Sequence, residues 1–216
     1  MTVTTDKYNV LDLPEGECGE WSIRRFRVAR EHVWRQIVEV CNSGRYVPPG
    51  YYTGLFRRLP SPIGGKQWEI IMSDTPDEIK DIMHPVIHAR GKVLIAGLGL
   101  GVVLNALAMK SNTTHITVIE QSSDVLTLVR EHYDNKYPGK ITFIQANIFE
   151  WKPPKNERWN YAWFDIWDTL NLANLPQMAH LHRRFCRKAD QYGSWGQKFL
   201  QREARRHRAP SRIWCM

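Results

Sequence analysis

The sequence predicts an α/β protein built on a parallel sheet, and two features predict it. From residue 93 onward, short apolar strands alternate with helical segments, the pattern of right-handed βαβ units. At the head of that alternation stands "KVLIAGLGLGVVL", residues 92–104, where an apolar strand runs into three glycines spaced by two. Glycines between a strand and a helix let the backbone turn tightly and approach a ligand with no Cβ in the way. A tight turn that binds nothing is the competing reading.

Residues 1–18 are polar, lack helical periodicity and read as an arm. From Trp21 to about Cys41, apolar residues at Ile23, Phe26, Val33, Ile37 and Val40 recur at helical spacing and predict one amphipathic helix, closed by "NSGRYVPPG". "YYTGLFRRL", "PSPIGGK" and "QWEIIMS" then read as strand, turn and strand, a β-hairpin. In the segment after it, Thr75 predicts an N-cap, Pro76 fits the first helical position and Glu78 completes a capping box, while Pro85 should break the helix. Strands follow at 93–96, 116–120, 141–145 and 161–165, with helices near 102–109 and 124–132. Helical stretches near 174–188 and 194–207 close the chain, with no strand pattern after Asp165.

A chain of 216 residues with 43% hydrophobic content suits one α/β domain with a small appendage. No apolar run approaches the roughly 18 residues of a membrane span, and the first thirty residues lack a signal-peptide core, so a cytoplasmic address is expected. The four cysteines are scattered with no CxxC spacing, which favours reduced thiols over a disulfide framework or a metal site. The net charge of +8 is concentrated: ten basic and only two acidic residues fall in 182–216, leaving the preceding 181 residues formally neutral. That tail reads either as a nucleic-acid contact or as a solvated helix end. His180 and His182, two apart on a helix, diverge too far to share a metal.

Spacing decides which nucleotide the glycine turn suits. A dinucleotide fingerprint would want its third glycine at 102, which is Val102, and no GK[ST] follows for a phosphate loop. The glycines are Gly97, Gly99 and Gly101, with an acidic residue, Glu120, about 20 residues on at the end of the second strand. A carboxylate there can accept two hydrogen bonds from ribose hydroxyls.

This G-x-G-x-G spacing resembles the first motif of class I S-adenosylmethionine (SAM) dependent transferases. The resemblance implies a cofactor site made of Gly97, Leu98, Gly99, Gly101, Glu120, Gln121, Asn147, Ile148 and Asp165. Asn147 stands where that superfamily usually has an aspartate facing the adenine amino group. "WNYAWFDIWDTL" resembles the superfamily's fourth-strand motif, and Asp165 and Asp168, spaced D-x-x-D, look like the acidic segment of the spermidine synthase branch. In that branch the acidic residues bind and deprotonate an amine, so Asp165 and Asp168 are the candidate catalytic pair. The chain departs from the pattern at Ile95, where many methyltransferases are acidic, and at Ile166, Trp167 and Thr169.

The resemblance therefore implies a truncated Rossmann-like sheet with helices on both faces, preceded by an N-terminal helix and hairpin. Residues 1–90 would form an N-terminal module, 91–170 the SAM-binding core and 171–216 a basic helical segment. The expected function is a SAM-dependent methyltransferase. The rivals are a spermidine synthase-like aminopropyltransferase using decarboxylated SAM, and a nucleic-acid-binding or regulatory module with a vestigial fold. The acceptor is a small molecule or a nucleic acid. With no strand pattern after Asp165 to supply the later family strands, the strand at 161–165 would be left at an edge. It would be covered by the C-terminal helices folding back or by a partner subunit, and a homo-oligomer, most simply a two-fold dimer, is expected.

Overall fold

The structure, a computed structural model, describes residues 6–30, 47–62 and 64–208. It contains two sheets. The first has four strands in the order β1-β2-β3-β4: β1 (Gly16–Cys18), β2 (Trp21–Val28), β3 (Gly50–Pro60) and β4 (Lys66–Ser73), all antiparallel. Two short helices follow, α1 (Pro76–Asp81) and α2 (Met83–His88). Then come β5 (Gly91–Ala96), α3 (Val102–Ala108), β6 (Thr113–Glu120), α4 (Ser123–Lys136), β7 (Ile141–Gln145) and β8 (Trp159–Phe164). The chain closes with α5 (Asn174–Phe185), β9 (Ala189–Ser194) and α6 (Gln197–Arg208). Strands β5 to β9 form a wholly parallel sheet in the order β7-β6-β5-β8-β9.

Burial on both faces explains the apolar runs of the central strands. Val93, Ile95, Val118 and Tyr161 pack on one side with α3, α4 and the N-terminal residues. Leu94, Ala96, Ile119 and Phe164 pack on the other against Leu181 and Phe185 of α5. The predicted strands, the hairpin and the α3–α4 helices all form, and the fold is the expected Rossmann-like α/β class.

Four expectations need correction. Residues 21–28 are strand β2, not the start of a helix; the helix expected beyond them falls on 31–41, outside the described residues. The strand is dictated by its partner. Ile23 pairs with Leu55 over the core, both buried, while Arg24 turns outward to lie over the Trp68 ring, 4.5 Å from its centroid. Helical spacing of Ile23 and Phe26 was outweighed by this two-residue alternation.

Residues 6–18 are no loose arm. Val10 and Leu13 are fully buried, and the buried Asp74 carboxylate accepts hydrogen bonds from the amides of Val10 (2.9 Å) and Thr53 (2.6 Å). The capping box is displaced as well. Thr75 makes no side-chain cap bond; Glu78 reaches back instead to the amide of Ser73 (2.7 Å) and its hydroxyl (2.7 Å). Pro85 behaves as expected: the helix is interrupted at Ile82, and α2 restarts with the proline in its first turn.

The largest correction is β9. It pairs parallel with β8 from Trp159↔Ala189 to Phe164↔Ser194, so β8 is an interior strand and needs no partner subunit to cover it. The sheet therefore runs on past residue 170. The segment "ADQYGS" has no β-branched residue and no apolar alternation, because as an edge strand it exposes Asp190, Gln191 and Tyr192.

Candidate functional site

The strand order reverses between β5 and β8, and the crevice beyond the strands' carboxyl ends at such a switch point is where open α/β sheets bind ligands. A cavity of about 590 Å³ lies there, within the usual range for small-molecule sites. Four strand ends furnish its floor: Gly97 after β5, Glu120 at the end of β6, Asn147 after β7 and Asp165 after β8. The first sheet lines it from another side, through Trp21 of β2, Arg57 of β3 and Met72 of β4.

All three glycines of the turn have positive φ, and each is also required by a protein neighbour. A Cβ on Gly97 would sit 1.8 Å from the Asp165 carbonyl oxygen, one on Gly99 2.1 Å from the Met72 sulfur, and one on Gly101 2.3 Å from the Tyr133 ring. Packing alone thus accounts for the three glycines.

The turn's amides tell which ligand fits. Leu98 N–H donates to Glu120 Oε2 (2.8 Å), Leu100 N–H to the Met72 sulfur (3.3 Å), and Gly101 N–H to the Leu98 carbonyl (2.8 Å). Donors committed in this way do not form a phosphate cradle. The lining charges agree: Glu78, Asp81, Glu120, Asp165 and Asp168 face one cationic side chain, Arg57, among the described residues. Such a lining disfavours phosphates and favours a cationic ligand.

Glu120 splits its oxygens, Oε1 accepting from Ser122 N–H at 2.8 Å and Oε2 from Leu98 N–H. Each oxygen keeps a second acceptor site. Asn147 Oδ1 accepts from Phe149 N–H at 3.0 Å, fixing the turn after β7. Asp165 has its carboxyl deep in the fold where it lines the cavity; burial, reinforced by the carboxylates of Asp81 and Glu78, pushes its pKa up to about 7. Asp168 pairs with Arg57 across 3.6 Å, and the Arg57 guanidinium lies 5.0 Å from the centroid of the Trp21 ring.

Of the residues expected from sequence, Gly97, Leu98, Gly99, Glu120, Gln121, Asn147, Ile148, Asp165 and Asp168 all line the cavity. Gly101 does not; it caps α3 and packs on Tyr133. Trp167 lines the cavity, whereas Trp159 and Trp163 are core. Arg57, Met72 and Trp195 were not foreseen. They come from the first sheet and the β9–α6 turn, and no local motif marks them. His180 and His182 do not converge; His182 Nε2 is hydrogen-bonded to Ser194 Oγ at 2.9 Å.

The fold and site together define a Rossmann-like α/β protein with an acidic crevice at the switch point of its parallel sheet. No protein-family model matches the chain, and no curated protein does. Solved structures match part of it. The CcbJ methyltransferase from Streptomyces caelestis is 19% identical, with 53% of this chain covering 45% of that one at a TM-score of 0.41. A candidate RNA methyltransferase from Pyrococcus horikoshii is 13% identical, with 61% of this chain covering 64% of that one at 0.42. The [4+2]-cyclase SpnF is 18% identical, over 52% and 41%, at 0.40. The chain thus spans less than two thirds of each of these proteins. At these identities and scores the likeness assigns no reaction; the cavity has to. No helix among the described residues is long and apolar enough to cross a membrane.

Proposed function

We propose that the cavity binds SAM and that the chain is a SAM-dependent methyltransferase. The observation that carries this reading is the acidic crevice at the switch point, with Glu120 beside a glycine turn whose Gly97, Leu98, Leu100 and Gly101 amides are committed internally. When bound, SAM supplies an electrophilic methyl group, its sulfonium sulfur keeping the bond pair as a neutral thioether on displacement by an acceptor lone pair. Glu120 would accept the ribose hydroxyls with its spare acceptor sites, and Asn147 and Ile148 would border the adenine. Leu98, Gln121 and the remaining turn residues would shape the nucleoside slot. Asp165, half-ionised near neutral pH, is suited to take the acceptor's proton. Asp168 would orient the acceptor, held in place by Arg57.

The aminopropyl alternative is less well supported. An amine-binding Asp168 would be free of a guanidinium, and here it faces Arg57 across 3.6 Å. Arg57 also offers a partner for the methionine carboxylate, which decarboxylated SAM lacks. Calorimetric titration with SAM, S-adenosylhomocysteine and decarboxylated SAM tests the assignment. Binding of the first two is expected; binding of none would overturn it in favour of a vestigial fold.

A cytoplasmic address and a homo-oligomer are further parts of the proposal. With β8 covered, a two-fold dimer would use the exposed apolar residues of the first sheet, Tyr51 (64% exposed) and Ile70 (50%). A 25.3 kDa species in light scattering would overturn the dimer.

A further inference from the structure

The basic residues of the C-terminal region are of two kinds. Arg184 is consumed by the fold, donating to the carbonyls of Ile148, Phe149 and Trp151 at 2.6–2.7 Å. Lys188 likewise closes the 154–157 turn through the carbonyls of Pro154 and Lys155, and Arg206 pairs with Glu203. Arg183 and Arg205 do neither. Both are exposed, and neither is in an ion pair among the described residues.

These two arginines share a groove. Leu175, Ala179, His182 and Arg183 of α5 face Gln197, Gln201, Ala204 and Arg205 of α6, each set at i, i+4, i+7 and i+8 and so on one helix face. The volume between them is about 540 Å³. Small side chains at Ala179 and Ala204 open it, amides and an imidazole line it, and two guanidiniums carry its charge. Beside it Tyr192, 39% exposed, lies with its ring 4.8 Å from that of His182. Gln177 of α5 and Trp195 of the β9–α6 turn also wall the acidic cavity.

We propose that this groove binds a single-stranded nucleic acid, Arg183 and Arg205 engaging phosphates and Tyr192 offering a face on which a base stacks. The charge distribution supports a polyanion, since the whole +8 falls in 182–216 while the rest of the chain is neutral. The aromatic face beside the groove favours exposed bases over a duplex. The proposal goes beyond the SAM assignment and stands without it.

The test is fluorescence anisotropy with a labelled mixed-sequence single strand of about 12 nucleotides, within the span of known site sizes. The whole chain should bind it with log affinity falling linearly in log salt, and should prefer it to the same sequence as duplex. Arg183→Glu/Arg205→Glu should weaken binding roughly tenfold or more and flatten the slope by about 1.4, two phosphates' worth on a single strand. The control Lys66→Glu/Arg130→Glu removes equal charge from the first sheet and α4 and should leave binding within about twofold of wild type. Equal weakening by both variants, equal affinity for duplex, or no binding at low salt would overturn the proposal. Milder Arg183→Gln/Arg205→Gln serves if the reversal fails to fold. SAM titration on the same variants separates the two readings: loss of oligonucleotide with SAM binding intact indicts only the groove, and an oligonucleotide-binding chain that ignores SAM indicts only the cofactor.

Discussion

Glu120 Oε2 accepts a hydrogen bond of 2.8 Å from the amide of Leu98, so the residue expected to hold a ribose also holds the glycine turn. Its other oxygen fixes Ser122 N–H, whose side chain in turn caps α4 by accepting from Val125 N–H at 3.3 Å. Glu120→Ala should therefore cost twice. SAM binding should weaken by roughly 1.5–3 kcal/mol, the range for hydrogen bonds to a charged group. Folding stability should fall by about 1–3 kcal/mol from the two orphaned amides. Calorimetry and denaturant unfolding on one preparation read both. A folded variant that binds SAM as well as wild type removes Glu120 from the ribose.

Gly97 is the least replaceable residue of the turn. Its φ of 92° is one that L side chains rarely adopt, and the atom a Cβ would meet is backbone, the Asp165 carbonyl. No rotamer change relieves that contact. Gly97→Ala should lose well over the 1–3 kcal/mol of φ strain alone and displace Asp165. Gly101→Ala also clashes, with the Tyr133 ring, whose hydroxyl is tied to the Leu100 carbonyl at 2.9 Å. It should destabilise while leaving SAM affinity in surviving folded protein less affected than Gly97→Ala does. Thermal melts paired with SAM titrations separate the two.

Asp165 sets a pH dependence whose sign follows from its raised pKa. The native state holds its proton up to about pH 7, whereas the unfolded chain releases it near the ordinary carboxylate value of 3.8. Between those limits the native state binds more protons, so stability declines as pH rises from about 4 to 7. Asp165→Asn should flatten this decline and gain on the order of 2–4 kcal/mol at pH 8, measured by urea unfolding at several pH values. The same substitution should abolish transfer. A sulfonium bound nearby favours the carboxylate, so wild-type affinity for SAM relative to S-adenosylhomocysteine should rise through pH 7, and Asp165→Asn should remove that rise.

The parallel core and much of the cavity lining were legible because their signals are local. The run before Gly97 is buried on both faces, and Glu120 and Asp165 close strands whose apolar residues announce them. The rest was hidden for physical reasons. In β2, "WSIRRFRV" places apolar residues at both two- and three-residue spacings, and only pairing with 50–57 selects the strand. In β9, edge position removes the burial that would print an apolar pattern. Arg57 and Met72 reach the cavity because the first sheet packs over the second's glycine turn, a tertiary event with no sequence motif.

Arg57 offers a test between the two proposed transfer chemistries. Its ion pair with Asp168 spans 3.6 Å with side chains 36% and 50% exposed, so the pair should add less than about 1 kcal/mol to stability. Stacking on Trp21 keeps the guanidinium at the cavity wall. Its value is then in ligand choice. If it receives the methionine carboxylate, Arg57→Gln should weaken SAM by roughly 1.5–3 kcal/mol, the range for a charged hydrogen bond, while decarboxylated SAM changes little. If Asp168 instead awaits an amine, removing Arg57 should free that carboxylate and tighten decarboxylated SAM and polyamines. Calorimetry with both nucleosides on wild type and Arg57→Gln reads the outcome directly. Selective loss of SAM supports methyl transfer, and a gain for the decarboxylated form hands the cavity to the aminopropyl chemistry.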